Sequence, residues 1–230
     1  MFFKKKNKIS IWSNLIPMEI MQNYFKLFPN NLPNYFKNIP NKIAAARAAH
    51  QTMKSCSGFL NYFLRSMVFY SPCDIEINYN HEGAYANFGG KELNDGRRFT
   101  VHNDVQFLKY VNQEEYIAIC KINLDIHINS EYPILINDCW WHFNSFKILP
   151  GVINTSKYPQ NLNLFIALPK NKNSIFIPQN KPLCHIFTES EKDIKIDFKK
   201  DKYDSLRHNN YNYLFDTLSR TILKRKYKIW

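Results

Sequence analysis

Glycine is scarce in this chain of 230 residues, which holds six. Four of them gather between Gly83 and Arg98, yet that stretch contains neither GxGxxG nor GxxxxGK. The usual glycine-rich phosphate cradles are therefore excluded, and the stretch reads as a hairpin connection or a surface flap. Cysteines number five, at 56, 73, 120, 139 and 184, an odd count with no CxxC pair. That spacing excludes a disulfide framework and implies free thiols in a reducing, cytoplasmic setting. No apolar run approaches the roughly 20 residues of a membrane span. Met1–Ser10 leads into no continuous apolar stretch of the kind a secretory signal needs. No linker rich in Gly, Ser and Pro divides the chain, so a single domain is expected. Its parts would be an arm over 1–40, a helix plus β core over 41–198, and a basic helix over 199–230.

Apolar and aromatic residues are plentiful instead. At 45% hydrophobic and 16% aromatic, the chain has too much apolar material to stay disordered. Of the formal net charge of +12, nine charges sit at the two ends: Lys4, Lys5, Lys6 and Lys8, then Arg220, Lys224, Arg225, Lys226 and Lys228. Acid-free basic ends attract phosphate backbones by counterion release without reading bases, so nucleic acid is a candidate partner; well-solvated ends are the plainer reading.

Between Phe146 and Phe187, short apolar runs are punctuated by Pro, Asn, Lys and Ser: Val152–Ile153, Leu162–Leu168, Ile175–Ile177 and Pro182–Phe187. Such runs predict strands and a mainly β fold. Leu162, Leu164, Ile166 and Leu168 alternate onto one face. Val152, Leu164, Ile166, Ile175, Ile177 and Leu183 are the expected core of one sheet. Further strands are predicted over Met67–Tyr70, Cys73–Tyr79, Phe107–Val111, Tyr116–Ile128, Tyr132–Ile136, Trp140–Phe146 and the edge strand at Ile194, Ile196 and Phe198.

Helices are fewer. Asn41 followed by KIAAARAAHQTMKS predicts an Ala-rich, Asn-capped helix. A short helix is expected between Pro17 and Leu27, and the stretch from Phe59 begins helical. Pro29 and Pro33 imply an extended aromatic arm lying in a groove. Tyr211, Leu214, Phe215, Leu218 and Ile222 fall at i, i+3, i+4, i+7 and i+11, the stripe of a C-terminal helix.

Two segments resemble the dUTPase superfamily. Gly151-Val152-Ile153-Asn154-Thr155-Ser156 stands where that family shows G-V-I-D-x-D. Asn180-Lys181-Pro182-Leu183-Cys184-His185-Ile186 stands where it shows G-D-R-I-A-Q-L, and Cys73-Asp74-Ile75 echoes an earlier A-x-D-L segment. With His102 and Gln106, the order of segments over 40–198 also resembles an uncharacterised family of phage and marine viral proteins. The resemblance implies a dUTPase-like β-clip fold, a trimer with pockets between subunits, a place in the host cytoplasm or virion, and a ligand-binding set of Asp74, His102, Gln106, Gly151, Asn154, Thr155 and His185. A jelly-roll-like barrel is the alternative architecture.

The departures weigh against the family's reaction. The aspartate that activates water in those hydrolases is replaced by Asn154, an amide that accepts no proton. Pro182 stands in place of a cation, His185 in place of Gln, and no P-R-S-G-like segment is present. The expected role is therefore a non-catalytic binding or structural protein, self-associating and possessing no catalytic residue, with nucleotide or nucleic acid as a further partner. The alternative is a nucleotide-processing hydrolase with a displaced base at Asp74 or Asp104. A minor alternative is a non-haem iron oxygenase using His102 and Asp104 with His142 or His185. Cys139-Trp140-Trp141-His142 and Cys184-His185 have no standard zinc spacing, so no metal or cofactor is expected. The two tryptophans suit either base stacking or a subunit contact.

The basic C-terminal cluster generates a direct test. Neutralising Arg220, Lys224, Arg225, Lys226 and Lys228 should flatten the plot of log affinity for nucleic acid against log salt. Each lost phosphate contact should remove about 0.7–0.9 from the slope. Titrations at several salt concentrations read it; a slope unchanged by the substitutions would move binding to another surface.

Overall fold

The computed structural model describes residues 7–13, 16–45, 48–92, 98–102, 115–155, 160–190 and 193–199, and the chain is mainly β. In order, the elements are β1 (Asn7–Ser13), α1 (Met18–Met21), β2 (Phe25–Lys26), α2 (Asn34–Asn38), β3 (Lys42–Ala45), β4 (Ala48–Gln51), α3 (Ser57–Leu64), β5 (Ser66–Tyr70) and β6 (Ile75–Tyr79). There follow β7 (Ala84–Phe88), β8 (Lys91–Glu92), β9 (Phe99–His102), β10 (Tyr116–Ser130), β11 (Ile134–Asp138), β12 (Lys147–Ile148) and β13 (Gly151–Ile153). Last come β14 (Gln160–Pro169), β15 (Ser174–Ile177), β16 (Pro182–Thr188) and β17 (Ile194–Phe198). Among the described residues no helix is long and apolar enough to cross a membrane.

Strand β10 is the spine of a curled six-stranded sheet ordered β12-β14-β10-β1-β17, with β9 also paired to β10. Its isoleucines alternate with small or polar residues, which suits a long strand. One edge carries β14. The other carries β9 opposite Ile119–Ile122 and then β1 opposite Ile126–Ser130. Two extra residues are inserted between these stations, since Asn123 pairs with Asn163 while His127 pairs with Asn161. Asp125 takes φ 56° there, and its N–H donates to the Asn123 side chain at 2.8 Å. Such a bulge bends the strand and lets one edge serve two partners.

A five-stranded sheet (β13-β11-β16-β5-β2) and a four-stranded sheet (β15-β6-β7-β8) complete the core. They share a ribbon, because β5 continues into β6 and β15 into β16 as antiparallel partners. At the corner, Pro72 and Pro178 interrupt the ladder. Hydrogen bonds from Ser71 N to the Lys181 carbonyl and from Asn180 N to the Ser71 carbonyl, both 2.8 Å, hold the crossing. One apolar cluster, including Ile9, Phe69, Ile77, Ile122, Ile136, Ile166 and Leu183, joins all three sheets. A second, smaller cluster forms around Phe36, Phe59 and Phe63.

Several expectations are corrected. The Ala-rich segment is the hairpin β3–β4, not a helix. Alanine favours a helix only weakly per residue, a helix this short is marginal alone, and Ile43 is the segment's one large apolar side chain to dock it. Thr52 closes the base of the hairpin instead, its hydroxyl donating to the Pro40 carbonyl at 2.7 Å. The N-terminal region is no arm, because β1 lies inside the six-stranded sheet with Ile9 and Ile11 fully buried. Beyond Pro33 the chain makes α2 before turning extended at Ile39. Gly83 to Arg98 is not merely a connection, since it contains β7 and β8 about the Gly89-Gly90 turn. Residues 146–187 do not share one sheet; their strands are divided among all three. Leu164, Ile166, Ile175, Ile177 and Leu183 are buried, but Val152 is 67% exposed because β13 is an outer strand. The predicted strand Phe107–Val111 and the C-terminal helix lie outside the described residues.

Ile166→Ala empties a fully buried site in β14 and should cost about 2–5 kcal/mol. Val152→Ala should stay within about 0.5 kcal/mol, as surface changes do. Chemical denaturation of the two variants checks the assignment of faces.

Candidate functional site

The register of β16 aims alternate side chains at two different environments. Cys184 and Ile186 enter the main core, while His185 and Phe187 face α3. Helix α3 presents Phe59, Tyr62 and Phe63 at i, i+3 and i+4, one helical face, and lays it over this outer side of the sheet. The His185 ring centroid lies 4.9 Å from Tyr62 and 5.4 Å from Phe63. His142 stands 5.6 Å away, so two imidazoles meet inside an aromatic enclosure.

Hydrogen bonding fixes the state of the pair. His142 Nε2 is 3.2 Å from the Asn31 carbonyl, which only accepts, so Nε2 carries the proton. Asn31 is fully buried, and its amide donates to the carbonyls of Phe63 at 2.8 Å and Ser66 at 3.0 Å. His185 is 0% exposed, with Nδ1 3.3 Å from the Ser66 hydroxyl. That hydroxyl donates to the Phe63 carbonyl at 3.4 Å, so His185 Nδ1 donates to it and Nε2 keeps a lone pair without a partner.

Burial sets the charge. It lowers His142 to about 4, partly opposed by the hydrogen bond to the Asn31 carbonyl, and His185 to about 3, with His142 adding to the effect. Burial likewise raises Tyr62, Tyr70 (to about 12), Cys139 and Cys184, so these groups stay neutral. Asp138 is also raised by burial, an effect that the Cys139 N–H partly offsets by donating to its carboxylate at 2.7 Å.

The segment predicted as a strand over Trp140–Phe146 is a 3-10 turn, Trp140–His142, ending on Phe143 at φ 51°. It has no clean alternation, and Asn144 and Ser145 follow it as turn formers. The turn points Trp141 inward onto Phe59, 4.8 Å edge to face, and His142 onto His185. Trp140 and Phe143 point outward, 66% and 73% exposed. Asn144 anchors the turn by donating to the Pro182 carbonyl at 2.8 Å.

The expected ligand set is dispersed. Asp74 accepts the Gln179 N–H at 2.6 Å beside Asn180-Lys181, bracing the corner of the ribbon. His102 lies on β9 with its ring 5.6 Å from Phe165. Gly151 and Asn154 are exposed along the outer strand β13 and just past it. Thr155 is buried, its hydroxyl accepting from Ser130 N at 2.7 Å and donating to the Ser130 carbonyl at 3.1 Å. From the pairings of β11, Asn154 and His185 are about 16 Å apart. Gln106, Asp104, Arg220, Lys224, Arg225, Lys226 and Lys228 lie outside the described residues. The turn carrying Cys139 and His142 does meet Cys184-His185, but alternation sends Cys184 and His185 to opposite faces. Among the described residues no group of three or more His, Cys, Asp or Glu could hold a metal. Sequence reading missed Asn31 and Ser66 altogether; the Phe59, Tyr62, Phe63 spacing was the available signal for the helix that covers them.

The histidine pair makes stability fall with acid. Their folded pKa values lie below the unfolded value near 6.5, so the unfolded chain takes up protons first. Stability is complete above about pH 6.5 and declines as pH falls toward 4 and then 3. Each group removes at most about 1.4 kcal/mol per pH unit. Asp138, raised by burial, acts in the opposite sense. His185→Phe should flatten the decline between pH 7 and 5, measured by denaturant unfolding at each pH.

No family model matches the chain, and no curated protein or solved structure does so either.

Proposed function

We propose that this chain is a non-catalytic binding protein that assembles with copies of itself through the aromatic turn at Trp140–Phe143. The observation that carries the reading is the pair of large rings, 66% and 73% exposed, on a turn whose other two side chains, half-buried, pack onto Phe59 and His185. Exposed aromatics on a rigid support lose little conformational entropy on docking, and buried aromatics dominate association energies. Holding Phe143 at a left-handed φ costs about 1–3 kcal/mol, a cost expected where a conformation serves a contact. A second copy suits this surface because the exposed groups are uncharged rings; a nucleic-acid platform interleaves rings with cations. The acid Asp74 is engaged by a backbone N–H, which favours a structural role for it over that of a displaced general base.

Phe143→Gly separates the two contributions of this residue. Glycine relieves the left-handed strain, which offsets the lost ring contact with Tyr35 at 5.5 Å, so the melting temperature should change little, while the lost ring should weaken association by about 30-fold or more, as a dominant contact residue does. Sedimentation of the wild-type chain and of Phe143→Gly and Trp140→Ser over a concentration series reads the association. A wild-type chain that stays monomeric throughout would overturn the proposal. So would steady pyrophosphate release from any deoxynucleoside triphosphate with Mg²⁺, which would show a hydrolase.

A further inference from the structure

Among the described residues β17 is the outer strand of the six-stranded sheet, and its far edge faces β2 across a seam. An open groove of about 470 Å³ runs along this seam, with Phe25, Phe28, Ile196 and Phe198 in its lining. The ladder to β1 begins where Asn7 N donates to the Asp193 carbonyl at 2.9 Å and ends where Lys199 N donates to the Ile11 carbonyl at 3.0 Å. Alternate residues of a parallel strand face the same neighbour, so Asp193, Lys195, Asp197 and Lys199 direct their backbone N–H and C=O groups at β1. Those of Ile194, Ile196 and Phe198 point the other way, toward the seam. A row of outward N–H and C=O groups is a template for another strand.

The side chains of β17 and its two flanking residues are complementary to themselves. Turned about a two-fold axis through Ile196, a second copy lies antiparallel, with Ile194 opposite the partner's Phe198, Lys195 opposite the partner's Asp197 and Asp193 opposite the partner's Lys199. The backbone parity agrees with this register. Ile194, Ile196 and Phe198 fall at hydrogen-bonded pairs, where their outward groups meet, while Lys195 and Asp197 fall at non-hydrogen-bonded pairs, where side chains come closest. The two faces agree as well. Lys195 is exposed, and the Asp197 carboxylate is held on the β1 side by Lys8 at 2.9 Å, which leaves it open toward the seam. Ile196 and Phe198 pack against the core on the other face and line the groove. We propose that two copies of this chain pair β17 to β17, antiparallel about Ile196, and so join their six-stranded sheets into one. A second copy is the occupant because every charge from Asp193 to Lys199 then meets its opposite across the axis. The surface is separate from the aromatic turn, so this inference goes beyond the self-association reading and does not rest on it.

The full chain carrying Trp140→Ser and Phe143→Gly isolates the edge, since the exposed rings of the turn are gone. Sedimentation over a concentration series should still show a dimer. Adding Lys195→Asp places like charges at two symmetry-related pairs and leaves the Lys8–Asp197 bridge in place, so the dimer should weaken about tenfold or more. Adding Asp197→Lys as well restores opposite charges across the axis and, because Lys8 lies beside position 195 in register, within the chain too, so the dimer should return. Amide exchange gives an independent readout. The Ile194, Ile196 and Phe198 amides should slow as the dimer forms, while those of Lys195, Asp197 and Lys199 stay slow at every concentration. A monomer throughout, in the background lacking both rings, would overturn the proposal and leave the charges of β17 as a guard against edge pairing; the reading of the aromatic turn would still be decided by comparing the wild-type chain with that background. A dimer indifferent to charge reversal, or one whose Ile194, Ile196 and Phe198 amides exchange freely, would also overturn it by placing the contact elsewhere.

Discussion

The bulge at Asp125 is the constraint on which the arrangement rests. A strand has two edges, and β10 serves three partners because its upper half and lower half point in different directions. The local cost is met locally. Asn123 receives the Asp125 N–H, the Asp125 carboxylate lies 3.5 Å from His127 Nε2, and His127 is sandwiched flat against Trp12 at 5.4 Å. Because β1 is placed by the lower half of β10, and β17 is placed in parallel by β1, the position of the seam facing β2 follows from that one irregularity.

The five-stranded sheet is covered on both faces, and this governs the chemistry of the candidate site. A sheet with one solvated face would leave His185 hydrated and ordinary. Here the outer face is roofed by α3 and by the turn carrying Trp141 and His142. Desolvation therefore outweighs every nearby favourable charge interaction, and the ionisable groups under the roof, apart from Asp138, are held in their neutral forms. The two imidazoles of this cluster are therefore neutral at neutral pH and act in it through packing and hydrogen bonds.

How much of this was readable in the sequence depends on whether a signal was local. The alternation in β10, β14, β15 and β16 is a period that the backbone imposes, and those strands were read within a few residues. So were the switch from helix to strand between Phe59 and Tyr70 and the outer strand at 194–198. The hairpin at 42–51 was misread because local propensity is weak where no partner face exists for a helix to cover. Strand β1 was missed because four prolines and many aromatics in residues 1–40 masked one short alternation, Ile9 and Ile11. Its burial depends on β10, more than a hundred residues away. Val152 shows the same limit: alternation identifies a strand, while its place at the rim of a sheet is a tertiary fact. The dispersal of Asp74, His102 and Asn154 was likewise invisible, since sequence motifs carry order along the chain and no distance.

The buried imidazoles are a less stable choice than apolar rings would be. Aromatic neighbours on several sides would accept a phenylalanine at 185 without leaving an orphaned nitrogen, and His185 Nε2 is such an orphan. What the polar choice supplies is position. The Asn31 carbonyl is tied to His142, the Asn31 amide to Phe63 and Ser66, and the Ser66 hydroxyl to His185. These bonds connect the loop before α2, the end of α3, the start of β5 and the 3-10 turn, four segments that apolar packing alone would leave free to slide. Displacing the turn would take the His142 imidazole from the Asn31 carbonyl, whose residue is fully buried, a larger loss than any single apolar contact. The network therefore gives up some stability to fix where Trp140 and Phe143 emerge, and an exposed aromatic pair is useful for recognition only if its position is fixed.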